Sequence, residues 1–175
     1  MTRAPTLAPT LALGLALACR TTPAAPPVAS APAGALPPSR HTAGEVVEAN
    51  VPLQHGGVLG LAELRGKLVV LELVDAAHRD AAIESEYAAL QAEGDGRLAV
   101  VMVSLDADGW GGDVPPFVLG WDPQGALAAR LHAAGVPCVL LLDGAGRIVA
   151  QYSGARAPGH GQLVAAARAA LPTVR

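Results

Sequence analysis

The sequence is short of thiols, aromatics and basic charge. Two cysteines, Cys19 and Cys138, exclude a disulfide framework. Only five of the 175 residues are Phe, Trp or Tyr, so a core has to be built from Leu, Val and Ala. No run of Lys or Arg occurs and the formal net charge is −3, which argues against a nucleic-acid partner. The Gly-rich stretch DADGWGGD lacks the Lys-Ser/Thr of a phosphate loop and the acidic alternation of a calcium loop, so it reads as a surface loop. No cofactor is expected.

What is present begins with an address. MTRAPTLAPTLALGLALA carries one Arg, no acid, and an apolar run from Leu11 to Ala18. That run is too short to span a bilayer and suits the core of a secretory signal. Leu15-Ala16-Leu17-Ala18-Cys19 resembles a bacterial lipobox, in which the Cys is acylated; Ala16 stands where the usual Leu would be. Residues 1–18 are therefore expected to be a lipoprotein-type signal, with Cys19 as the lipidation site. Residues 19–43 are expected to be a tether: the stretch from Arg20 to Arg40 holds six prolines among Ala, Ser and Thr, a composition that stays extended.

From residue 44 to 175 the pattern is that of a folded domain, large enough to bury a core without staples. Val46-Val47 and Val51 to Leu53 are short extended pieces, and Gly56-Gly57 is a turn. Leu68 to Val74 is a nearly continuous apolar run, the mark of a strand buried on both faces; Glu72 interrupts it. Asp75 is a plausible cap for the helix that follows, whose Ile83, Tyr87 and Leu90 share one face. Leu98 to Leu105 is a second buried strand, and Phe117 to Leu119 reads as a short one. A helix is predicted from about Gln124 to Ala134, with Leu127 and Leu131 inward. Cys138 to Leu142 is a strand, residues 143–146 a hairpin turn, Arg147 to Tyr152 the return, and Gly161 to Leu171 an Ala-rich helix. The order β, β, α, β, α, β, β, α predicts an α/β sandwich with a central mixed sheet flanked by helices.

In that order LAELRGKLVVLEL, LAVVMVSLD and GWDPQGALAARLHAAGVPCVLLLDGAGRIV resemble the thioredoxin fold in its exported, TlpA-like branch. The likeness runs from about Glu45 to Leu171. It implies that Pro137 is the family's cis-proline. It also implies where the reactive Trp-Cys-x-x-Cys should stand. Counting without gaps from Gly66, the two Cys positions fall on His78 and Ala81 and the Trp on Ala77, while Glu84 meets an acidic residue common in the family. The motif is thus expected to be degenerate, because dithiol exchange needs an attacking thiolate and a resolving thiol.

The remaining candidates carry two readings each. His78 is a general base or metal ligand, or a polar residue of a drifted site. Cys138 is a single reactive thiol served by His78, or an inert core cysteine. His78, Cys138 and His132 could together hold copper or zinc, although no two of them lie close in sequence. Trp110 and Trp121 mark a partner surface or cap the core. Asp143 and Arg147 belong to a turn, and His41, His55 and His160 lie in loop-like sequence.

The expectation is an exported, lipid-anchored thioredoxin-like protein of the TlpA-like disulfide oxidoreductase family. It would face the periplasm or cell exterior, lack dithiol activity, and act as a binding or accessory protein of the envelope. Its contacts would be a protein or peptide in the groove beside Pro137 and a membrane through Cys19. The alternatives are a single-cysteine redox enzyme using Cys138 with His78, and a metal carrier.

Overall fold

The computed structural model describes residues 41–154 and 159–174. Strands β1 (Asn50–Pro52) and β2 (Val58–Gly60) form a small antiparallel ribbon. The main elements follow as β3 (Leu68–Val74), α1 (Ala81–Gly94), β4 (Leu98–Ser104), β5 (Val118–Trp121), α2 (Ala126–Arg130), β6 (Cys138–Leu142), β7 (Ile148–Ser153) and α3 (Gly159–Ala170). The five-stranded sheet has the order β5-β4-β3-β6-β7. Strands β3, β4 and β5 run parallel, while β6 is antiparallel to both β3 and β7.

All seven residues of β3 are buried because the strand lies at the centre of the sheet with a layer on each face. Leu68, Val70 and Val74 face α1 and α3 and meet Ile83, Tyr87, Leu90, Leu163 and Val164. Val69, Leu71 and Leu73 face the other layer, with Leu127 and Leu131 from the α2 region and Val47 and Val51 from the leading segment. Alternation along the strand sends successive side chains to opposite layers. Gly120 lets β1 cross against β5: a Cβ there would stand 2.7 Å from a Val51 methyl carbon.

Two expectations need correction. Asp75 does not cap the long helix. It closes a separate 3-10 turn, Ala76–His78; Arg79 is then extended, and Asp80 caps α1 through its Ala82 N–H at 2.9 Å. Each aspartate takes the first free amide two or three residues ahead, so two successive caps divide one expected helix start. Helix α2 is also shorter than the predicted 124–134. It starts where the buried Asp122 accepts from the amides of Ala126 and Ala128, at 2.9 and 3.0 Å. It ends because His132 turns left-handed, φ +46°, and Ala133 N–H reaches back to the Ala128 carbonyl at 2.9 Å. That is a Schellman-type stop, with His in the place glycine usually takes.

Among the described residues no helix is long and apolar enough to cross a membrane. The expected signal segment, Cys19 and most of the expected tether lie outside the described residues. At the tether's end His41 is already tied to the domain, its carbonyl accepting from Gln151 Nε2 at 2.8 Å.

Candidate functional site

Strand β3 ends at Val74, and the chain turns through residues 75–80 before α1 begins. The antiparallel register pairs Leu73 with Cys138, so one step further sets Pro137 alongside Val74. The Val136–Pro137 peptide is cis, and Pro137 is buried. Ala76, Ala77, His78 and Ala81 are all exposed.

The turn is held by charge and hydrogen bonds. Asp75 Oδ1 accepts from the His78 amide at 3.0 Å and lies 2.5 Å from His78 Nδ1. A carboxylate there places the ring proton on Nδ1 and leaves Nε2 toward solvent. The His78 side chain is 44% exposed, so the pair is a surface pair. The Ala76 amide donates to Asp106 Oδ2 at 2.7 Å, which fastens the turn to the loop after β4.

Arg79 makes the stronger fastening. Its Nε and Nη2 donate to the two Glu84 carboxylate oxygens at 2.9 and 3.2 Å. Nη1 and Nη2 also donate to the carbonyls of Gly111 and Asp113, at 3.1 and 3.0 Å. Its guanidinium carbon lies 5.1 Å from the centre of the Trp110 ring. A bidentate pair, two carbonyls and an aromatic face use nearly all that a guanidinium offers. The DADGWGGD stretch is therefore docked on the junction rather than free on the surface. Trp110 is buried, with Nε1 donating to the Gly120 carbonyl at 2.7 Å, and Trp121 Nε1 donates to the Asp106 carbonyl at 2.9 Å. Both indoles serve the protein's own packing.

Cys138 is 2% exposed and belongs to the layer facing α2. Burial pushes its thiol up from the ordinary value, a contact with the Ser153 hydroxyl pulls it down, and the Glu72 charge pushes it up again. The net rise disfavours the thiolate. Glu72 is itself buried and sits close to the Tyr87 and Tyr152 phenols. Burial first, and the Glu72 charge second, raise both phenols, Tyr152 to about 12.

The expected site residues are thus dispersed into different settings. His78 is joined to Asp75 on the exposed turn, whereas Cys138 is inside the α2 layer beside Ser153. His132 stands at the end of α2 with its ring 5.5 Å from that of His41. Among the described residues no group of three His, Cys, Asp or Glu could hold a metal ion, so the His78, Cys138 and His132 set of the metal-carrier expectation is not assembled. Sequence reading passed over two histidines. His160 lies in α3, 2.8 Å from Glu86 through Nε2 and 5.3 Å ring to ring from Tyr87. His41 bonds Glu45 four residues on, a spacing that could have drawn notice.

A mixed sheet of order β5-β4-β3-β6-β7, with flanking helices and a cis-proline beside the strand-to-helix junction, makes this a thioredoxin-like fold. Solved structures similar to it include a candidate thiol:disulfide interchange protein DsbE from Chlorobium tepidum, at 25% identity over 75% of this chain and 98% of that one, with a TM-score of 0.61. The thioredoxin domain of a thiol-disulfide oxidoreductase from Bacteroides vulgatus is 16% identical over 77% of this chain and 99% of its own, TM-score 0.57. The peroxidoxin BcpB of Mycobacterium tuberculosis is 20% identical over 76% and 97%, TM-score 0.54, a likeness of fold. No protein-family model and no curated protein matches the sequence.

Proposed function

We propose that the chain is an exported, lipid-anchored thioredoxin-like protein of the cell envelope that binds extended polypeptide segments and does not exchange disulfides. The observation that carries this reading is the chemistry of the 75–84 junction. In the relatives that the sequence resembles, this place holds Cys-x-x-Cys. Here the corresponding positions are His78 and Ala81, and the sequence contains no Cys-x-x-Cys anywhere. The junction is closed by Arg79, Glu84 and Trp110, an arrangement that holds shape and moves no electrons. The one free cysteine among the described residues, Cys138, is buried with its thiol shifted away from the reactive form. The same burial counts against a single-thiol enzyme using Cys138 with His78.

Binding is supported by two features. Ala76 and Ala77 are small and exposed on the turn after β3, and the cis-Pro137 follows the register of that strand's end. The ionic clamp keeps that face in one conformation, which limits the ordering cost of association. Export and anchoring rest on the signal-like first 18 residues and on Cys19.

The test uses a reduced and alkylated unfolded polypeptide, which offers no disulfide or thiol. Fluorescence anisotropy should report binding by the full chain and a clear weakening by Ala77→Arg, with the melting temperature unchanged. Equal binding by both proteins would remove the groove from the reading. For the anchor, Cys19→Ala should move the protein from the detergent-rich to the aqueous phase.

A further inference from the structure

Residues 111–114 form a short strap attached to the 75–84 junction. All four are exposed, while Trp110 before them and Pro115 after them are buried. Among the described residues, the hydrogen bonds that hold the strap come from Arg79: Nη1 donates to the Gly111 carbonyl at 3.1 Å and Nη2 to the Asp113 carbonyl at 3.0 Å. Gly112 lies between those carbonyls with a left-handed backbone, φ +73°, which bends the strap so that both reach one guanidinium. Arg79 thus has two donor edges in different settings. The Nε–Nη2 edge is taken by Glu84, which also balances the charge. The Trp110 ring, 5.1 Å from the guanidinium carbon, belongs to the fixed end of the loop. The Nη1–Nη2 edge is taken by an exposed segment with two glycines, anchored in the core only at its ends.

Lifting the strap breaks two hydrogen bonds and returns freedom to two glycines, a small local opening. Glu84 and Trp110 keep the guanidinium in place, and its second edge is left needing acceptors. Charge selects among them. Glu84 already balances Arg79, the turn carries Asp75 and Asp80, and Asp106 accepts from its Ala76 amide, so an anion is disfavoured and a neutral acceptor fits. Main-chain carbonyls are such acceptors, and they are what the strap itself supplies. We infer that the Nη edge of Arg79 is a binding site for main-chain carbonyls of an extended polypeptide, and that residues 111–114 occupy it in the free protein and leave it on binding. This site, which presupposes the proposed peptide binding, adds a self-blocking contact to it: apparent affinity is lowered in proportion to the fraction of chains whose strap is open.

Gly112 is the position to test. A Cβ there would meet nothing within 4 Å, so a substitution acts on the backbone conformation alone. Asn visits the left-handed region readily and Ala does not. Against the reduced and alkylated unfolded polypeptide, anisotropy should give an affinity within about twofold of wild type for Gly112→Asn and raised about fivefold or more for Gly112→Ala. Arg79→Lys keeps the charge beside Glu84 but loses the forked donors, and should weaken binding about fivefold or more. NMR relaxation should show lower order parameters for residues 111–114 in Gly112→Ala. Hydrogen-exchange protection of β3 should stay at the wild-type level in every variant, which separates an open strap from an unfolded domain. Equal affinities for wild type and Gly112→Ala, with the strap loosened, would overturn the self-blocking contact and leave peptide binding standing. Undiminished binding by Arg79→Lys would overturn the site. Absence of binding by wild type and Gly112→Ala alike would remove the peptide-binding reading and this site with it.

Discussion

His78 and His41 each have Nδ1 held by a carboxylate from their own segment, Asp75 at 2.5 Å and Glu45 at 2.9 Å. The two pairs are built alike and end differently. The His78 side chain is 44% exposed, and the structure around it is maintained by Arg79 rather than by the histidine. The His41 side chain is 7% exposed, and its second nitrogen is enclosed beside another imidazole. The local motif is therefore a poor guide to role. Burial and a partner remote in sequence decide whether such a pair stays on the surface or is built into the packing.

The largest expected effect concerns a group more deeply buried than either histidine. Cys138 should react with a thiol reagent orders of magnitude more slowly in the native protein than in denaturant, because reaction waits on opening. Its folded pKa is raised, so the stabilisation it gives is full below the ordinary thiol value of 9.0 and is lost as pH rises through the higher folded value. Tyr152 behaves likewise between 10.0 and about 12. Urea midpoints should accordingly fall on the alkaline side, and Tyr152→Phe should flatten part of that fall.

Next is the clamp. Arg79→Ala should cost about 2–3 kcal/mol in urea unfolding, since it strands a half-buried Glu84 and frees the loop carbonyls. Trp110 emission should shift as the loop lifts. His41→Gln should lower the melting temperature by a few degrees, as a buried ring loses its carboxylate contact. His78→Gln should change stability by less than about 0.5 kcal/mol, as expected for an exposed pair. Equal losses at His41 and His78 would break the contrast between the two sites.

Much of the fold was legible because its signals are local. The apolar run at 68–74, the Ile83, Tyr87, Leu90 face and the Asp143 turn each state their structure within a few residues. What stayed hidden depends on distant pairings. Arg79 finds its carbonyl partners more than 30 residues away, and His132 finds His41 across 91. No spacing rule reports those contacts. The second cap at Asp80 was obscured for another reason: Asp75 and Asp80 are equally good caps, and only the extended Arg79 between them separates a turn from a helix.

The claim that this junction binds without exchanging disulfides is tested most directly by insulin reduction, with the full chain and glutathione as electron donor. The expected result is no turnover above the protein-free rate, for wild type and Cys138→Ala alike. Robust turnover by the wild type, abolished in Cys138→Ala, would contradict the account.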